Sequence, residues 1–306
     1  GQGTRANENG NYPEALRLHF EAWKLDEYNL NSIKCLAHSL NYVGARAKAL
    51  ELFELALGRN PDDPEVAGLL GQVAIDLEMW EQAVALNRIY INAHPDKELG
   101  YNNLATALRH MERFDEAITF LQDVLPLFPE SSALWNVLGI SVTLRDNLET
   151  AQPFYDEALR LDPKNWQILN NLAKSYGEIG EYEKVIDYGK RAVKHRSNQP
   201  ECHIGYAFGL FGTGEIKKGW EEYDWRQHPN RNQGVKWVHG IKRWSGEDLT
   251  GQSVLICPEQ GVGDETLFAN AIPDVLQDAK HLYIGCDRRL VPLFQRSFPD
   301  ATVGPY

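Results

Sequence analysis

SALWNVLGISVTLRDNLETAQPFYDEALRLDP, residues 132–163, decides the fold. Trp135, Leu138 and Gly139 fall on one face of a first helix, and Ala151, Tyr155 and Ala158 on one face of a second. Small residues sit where two such helices would interlock, and small residues there let helices approach closely. The stretch ends on Pro163. Pro61, Pro95 and Pro129 precede it, each 34 residues from the next.

That spacing extends the two-helix unit in both directions. With each proline at position 32, the preceding units carry Ile33, Leu36, Ala37, Leu40, Gly44, Ala49, Phe53 and Ala56; Leu70, Gly71, Ala74, Trp80 and Ala83; and Tyr101, Leu104, Ala105, Leu108, Phe114 and Ala117. After it come Leu172, Ala173, Tyr176, Gly180, Tyr182 and Ala192, a unit ending at Ser197 without its proline. A first unit is incomplete, with Gly10, Tyr12, Ala15 and Ala22 in place. A seventh begins at Pro200 and keeps Tyr206, Ala207, Leu210, Gly214 and Tyr223. Its Trp220 and Trp225 are expected to dock the stack onto the domain that follows. A 34-residue helix–turn–helix period is that of the tetratricopeptide (TPR) repeat. The expectation is a mainly α protein: a right-handed TPR superhelix of about six to seven repeats over residues 1–228, its first helices lining the concave face.

One polar series runs along that face. Position 5 is Asn102, Asn136 and Asn170 in three successive repeats, and position 6 is Asn103 and Asn171. An asparagine amide both donates and accepts. Repeated at one level of a groove, it can pair with the N–H and C=O groups of an extended peptide, giving affinity with little sequence choice. Asn at position 6 is also ordinary TPR consensus. The two-carboxylate clamp of some TPR proteins is not expected, because His38 and Leu69 stand where its pattern needs other residues, although Lys34 fits. The predicted partner is therefore a protein or extended peptide, and self-association through the end repeats is a further expectation.

Composition sets limits. A net charge of −12 over 306 residues argues against non-specific nucleic-acid binding. No apolar run approaches the roughly 20 residues that span a bilayer, and the first residues lack the layout of a signal peptide. The four cysteines, Cys35, Cys202, Cys257 and Cys286, are far apart and form no metal-binding pattern. They read as reduced, structural thiols, so a cytoplasmic location, no metal and no cofactor are expected.

After residue 228 the period is lost. Residues 229–250 read as a basic linker with Trp237 and Trp244. Residues 251–306 read as strand, Gly-rich turn, helix, strand, helix and the start of a third strand: a small partial Rossmann-like α/β unit. Its strands are expected at Ser253–Cys257, His281–Gly285 and Ala301–Val303, its helices at Thr266–Ala279 and Arg288–Phe298. Leu267, Phe268, Ala271, Ile272 and Leu276 are expected inward, and Asp287 as a helix cap. The loop Glu259-Gln260-Gly261-Val262-Gly263-Asp264 follows the first strand, at the strand end where such sheets bind ligands. Glu259, Gln260, Gly261 and Gly263 are its candidates for a sugar or phosphate, and Asp264 is expected to cap the following helix. A tight turn plus a cap is the plainer reading of the same residues.

The segment from Gly219-Trp220 through Tyr223, Trp225, Arg226, Trp244, Gly246, Leu249, Gly251, Val254–Ile256, Glu259–Gly261, Gly263, Asp264, Phe268, Pro273 and Leu276 resembles bacterial proteins in which TPR repeats precede a glycosyltransferase-like domain of the two-Rossmann (GT-B) type. YNNLA (Tyr101–Ala105) and LNNLA (Leu169–Ala173) are similar to the superhelix of protein O-GlcNAc transferases, whose asparagines hold an acceptor polypeptide. The resemblance implies a polypeptide acceptor, a nucleotide sugar as donor and Asp264 as general base. The chain stops at Tyr306, where the third strand starts, so the expectation for these 306 residues is a peptide-binding scaffold, inactive as an enzyme by itself; the alternative is the substrate-recognition part of a protein glycosyltransferase.

Overall fold

The structure, a computed structural model, describes residues 2–8, 11–59, 64–228, 231, 240–259 and 261–306. Gly10, Pro61, Pro229, Trp237 and Gln260 lie outside the described residues, as do the side chains of Phe53 and Ala56. The chain divides into two compact units, Gly1–Asn232 and Gln233–Tyr306.

The first unit is a succession of helices: α1 (Gln2–Glu8), α2 (Tyr12–Leu25), α3 (Leu30–Tyr42), α4 (Arg46–Arg59), α5 (Pro64–Asp76), α6 (Trp80–Ala93), α7 (Glu98–His110), α8 (Phe114–Val124), α9 (Ser132–Arg145), α10 (Leu148–Leu161), α11 (Trp166–Glu178), α12 (Tyr182–His195), α13 (Pro200–Gly212) and α14 (Ile216–Tyr223). Local chemistry sets the starts. Asn29, Ser131, Asn147 and Asn165 each accept a backbone N–H of the first turn, satisfying a donor that has no intrahelical partner. In most repeats the turn between the two helices holds a left-handed residue, whereas between α9 and α10 Asp146 stays at φ −112°. Gly44, Gly180 and Gly214 supply it at φ +79°, +77° and +84°. Glu78 and Glu112 occupy the same position at φ 58° without that freedom.

Within a repeat the two helices lock through small residues. Ala49, Ala83, Ala117 and Ala151 are fully buried. A Cβ at Gly139 would stand 3.1 Å from the ring of Tyr155, and one at Gly71 2.7 Å from the Asn87 amide. These glycines make room for the residue sixteen places on, once a tyrosine and once an asparagine. From repeat to repeat α3, α5, α7, α9, α11 and α13 meet in turn. The first helices of the repeats thus line one continuous face.

The seventh repeat ends differently. After α14 the chain makes a 3-10 turn, Asp224–Gln227. Trp225 stacks on His203 at 3.9 Å, and Trp220 meets Phe211 edge-on at 5.2 Å. His203 also contacts Glu222 and the Ser197 carbonyl through its two ring nitrogens. The aromatics expected to dock a following domain therefore pack first within their own repeat; Trp220 stays 43 % exposed.

The second unit holds three parallel strands in the order β1 (Ser253–Ile256), β2 (His281–Cys286), β3 (Thr302–Pro305), with Leu255 opposite Tyr283 and Tyr283 opposite Thr302. Leu282, Ile284 and Cys286 point into a core completed by Ile272, Leu290 and Phe294. Three expectations need correction. The helix expected over 266–279 is two helices, α15 (Val262–Phe268) and α16 (Ile272–Asp278), joined by a 3-10 turn at Ala269–Ala271. Pro273 lies in the first turn of α16, and a proline has no N–H to continue the preceding helix. At the break Leu267 and Phe268 face outward, to 62 % and 57 % exposure, and Ala271 is exposed as well, whereas Ile272 is buried as expected. Asp264 does not cap α15: the helix starts two residues earlier, Gly261 is its cap, and the Gly261 carbonyl accepts from the Asp264 and Glu265 N–H groups. Asp287 caps a turn by accepting from the Arg289 N–H, and the next helix, α17 (Val291–Ser297), begins only beyond it.

Candidate functional site

Asn102 on α7, Asn136 on α9 and Asn170 on α11 stand at equal chain positions in repeats whose first helices touch. All three are half-buried. Asn171 donates from Nδ2 to Asn136 Oδ1 at 3.2 Å, so the series is joined across one repeat boundary. Asn170 Oδ1 faces the next repeat's α13, where a Cβ on Gly205 would come within 2.7 Å of it. Asn103 is placed differently. It is 3 % exposed, and its Nδ2 has no hydrogen-bond partner among the described residues.

Two groups missed in the sequence lie on the same stripe. Residues spaced four and seven apart share a helix face. Thr106 and Arg109 follow Asn102 in that way, and Lys174 follows Asn170 by four. Arg109 Nη2 donates to His110 Nε2 at 2.7 Å, and the His110 ring stacks on Trp80 at 4.2 Å. Burial and the charge of Arg109 push the His110 imidazole down to about 4; Lys174 adds to the fall and Glu78 opposes it. Burial also lowers the Arg109 guanidinium from its usual range. Position 12 of a repeat carries no periodic signal, so only the side-chain placement reveals this group.

A cavity of about 610 Å³ lies to one side of the series. It is lined by residues of α6, α7 and α8, among them Arg88, Leu104, Leu108, Glu116, Phe120 and Asp123, and by none of the asparagines of the series. A second, about 310 Å³, is bounded by Tyr12, His19, Lys34, Cys35, His38 and Tyr42 near the first repeats. Side chains spaced along a groove suit an extended ligand better than either cavity does.

In the second unit Glu259 and Asp264 are half-buried, and Gly261 and Gly263 are exposed with nothing within 4 Å of an added Cβ. Glu265 Oε2 accepts from the Asp287 N–H at 2.9 Å and ties the loop after β1 to the loop after β2. Among the described residues no three His, Cys, Asp or Glu side chains form a group able to hold a metal ion. No described helix is long and apolar enough to cross a membrane.

Comparison with known proteins agrees with the geometry of the first unit. Tetratricopeptide repeat models match residues 43–102, 100–127 and 154–187. Protein FlbA of Caulobacter vibrioides is 34 % identical over 298 residues, covering 95 % of this chain and 50 % of that protein. A tetratricopeptide repeat-containing protein of Caenorhabditis elegans, trd-1, is 24 % identical over 181 residues, 59 % of this chain and 23 % of its own length. The chain thus spans half or less of these relatives. Among solved structures, a thermophilic TPR protein of Thermus thermophilus superposes with a TM-score of 0.52 at 23 % identity, covering 60 % of this chain and all of that one. A tetratricopeptide repeat protein of Parabacteroides merdae gives 0.58 at 16 %, over 68 % and 81 %. These structural likenesses concern the fold. The α-helical part of this chain is built from tetratricopeptide repeats, the stacked units that form protein-interaction scaffolds.

Proposed function

We propose that the chain is a scaffold that holds an extended polypeptide along the face lined by α3, α5, α7, α9, α11 and α13. The observation that carries this reading is the series Asn102, Asn136 and Asn170, one amide per repeat on helices in contact, with Asn171 bracing Asn136. An extended strand advances about 3.3 Å per residue, so rungs one repeat apart would pair with peptide groups several residues apart. Asn103 lies beneath this surface at 3 % exposure, its Nδ2 without an acceptor among the described residues, so the rungs are assigned to the position-5 asparagines. Selection of a phage-displayed random peptide library on the immobilised chain tests the reading. Enriched peptides that compete with one another for a single saturable site are expected; a selection that enriches nothing above a blank surface contradicts it. The four free cysteines fit a reducing, cytoplasmic setting.

A second reading concerns residues 251–306: the beginning of a Rossmann-like sugar-transfer domain that acts on the captured polypeptide. Two observations favour it. The loop Glu259–Asp264 follows β1 at the carboxyl end of a parallel sheet. Gly261 and Gly263 have open space where side chains would be, which suits a ligand approaching the backbone. Gln260 belongs to the same loop by sequence. Here Asp264 would take the proton of the acceptor group. Mass spectrometry of a captured peptide incubated with nucleotide sugars and the full-length protein tests this. Asp264→Asn is expected to abolish transfer and leave capture intact; undiminished transfer removes Asp264 from the role.

A further inference from the structure

Arg109 differs from Arg17, Arg88, Arg145 and Arg160, each of which lies 3.2 Å or less from a carboxylate. Among the described residues, half-buried Arg109 pairs with no carboxylate, and its Nε is withdrawn from water with no hydrogen-bond acceptor. Its guanidinium donates instead to His110 Nε2. A guanidinium only donates, so that nitrogen is the acceptor and the imidazole beside it is neutral. Trp80 stacks flat on the face of the same ring at 4.2 Å. The fork is thus oriented but not neutralised. Lys174, exposed and without an ion pair among the described residues, acts on the same histidine from α11. Glu78 and Glu178 also reach this neighbourhood electrostatically, and neither pairs with Arg109. Arg109 lies two turns along α7 from Asn102, and Lys174 one turn along α11 from Asn170, so both cations flank the proposed rungs.

We propose that Arg109, seconded by Lys174, receives a carboxylate of the polypeptide bound on this face, so that the scaffold selects acidic segments and fixes their register against Asn102. This rests on the polypeptide-holding reading and adds a ligand class to it. A half-buried guanidinium without counter-charge is costly, and a carboxylate matches its fork in charge and geometry. The net charge of −12 opposes acidic ligands at long range, which leaves selection to these two local groups.

The test uses fluorescein-labelled synthetic peptides, with amidated C-termini, derived from the phage selection. An acidic residue is expected at one fixed position among the enriched peptides. Replacing it with its amide should weaken binding about tenfold, the usual effect of losing one charged hydrogen bond. Arg109→Gln should weaken the acidic peptide by a similar factor and its amide counterpart less than about twofold. Lys174→Gln, at an exposed site without an ion pair among the described residues, should show the same preference in smaller measure. If the acid requirement is met only by peptides with a free C-terminus, the carboxylate is terminal; if amidated peptides suffice, it is a side chain. Enriched peptides without an acidic position overturn this inference alone. An acid-to-amide loss that is equally large in wild type, Arg109→Gln and Lys174→Gln also overturns it. A selection that enriches no peptide overturns the holding reading and this one with it.

Discussion

Asn171 donates its side-chain amide to the Asn136 oxygen, 3.2 Å away, across the boundary between two repeats. The bond fixes which way the Asn136 amide points. Its oxygen is engaged within the protein, which leaves its Nδ2 as the donor for a peptide carbonyl. Removing the brace frees the amide to rotate. Asn171→Ala is therefore expected to lower peptide affinity about three- to fivefold while costing about 0.5–1 kcal/mol in stability, since the bond is only part-buried. Fluorescence anisotropy and thermal melting measure the two effects separately.

His110 makes the Arg109 environment visible to pH. In the folded chain its imidazole is held down to about 4, by burial first and then by the charge of Arg109, whereas the unfolded chain titrates near 6.5. The depressed value means the folded state resists the proton. The stabilising contribution is fully present above about 6.5 and is lost as pH falls from there through about 4. An NMR titration of the His110 ring should show a midpoint near 4. Arg109→Gln should move it upward. A wild-type midpoint at the ordinary histidine value contradicts the arrangement.

Two glycines of the sixth repeat predict opposite outcomes. A Cβ at Gly189 of α12 would stand 2.9 Å from Tyr206 Cα on α13, where backbone cannot give way cheaply. Gly189→Ala should destabilise by about 1–3 kcal/mol through overpacking. A Cβ at Gly177 of α11 meets only Val185 Cγ2 at 3.7 Å, an ordinary contact. Gly177→Ala should leave stability unchanged or raise it by about 0.5–1 kcal/mol. Chemical denaturation of both variants checks the contrast.

Glu112 holds a left-handed backbone at φ 58°, the position that Gly44, Gly180 and Gly214 fill in other repeats. A side chain there costs about 1–2 kcal/mol, partly offset by the extra freedom glycine gains when unfolded. Glu112→Gly is expected to raise stability by about 0.5–1 kcal/mol, read as a higher denaturation midpoint with an unchanged slope. A loss of stability would show that the glutamate side chain contributes more than the strain costs.

The helix pairs were legible because their spacing is rigid: Ala83, Ala117 and Ala151 recur at one position and are each fully buried. The strands β1 and β2 were legible as short apolar runs. The second unit's helices were less so, because one proline, Pro273, outweighs the apolar pattern around it and turns Phe268 to solvent. The cap of α15 was misplaced for a related reason: an aspartate before a helical run looks like a cap, yet Gly261 in extended conformation lets the helix begin earlier. Within the candidate site, the asparagines showed as a repeat-to-repeat pattern, but their separation into half-buried and buried members did not. Asn102 and Asn103 are neighbours in sequence, and only the roll of α7 sends one outward and the other to 3 % exposure. Arg109 occurs once and has no periodicity to betray it.

The central claim is that the asparagines of three successive repeats grip a polypeptide backbone. The direct measurement is the dissociation constant of one selected peptide for wild type and for the variant carrying Asn102→Ala, Asn136→Ala and Asn170→Ala together, with folding checked by circular dichroism. Each rung is worth about 1 kcal/mol as a net hydrogen bond, so the triple variant should bind about a hundredfold more weakly with its helical signal intact. A folded triple variant that binds the peptide as tightly as wild type would contradict the account.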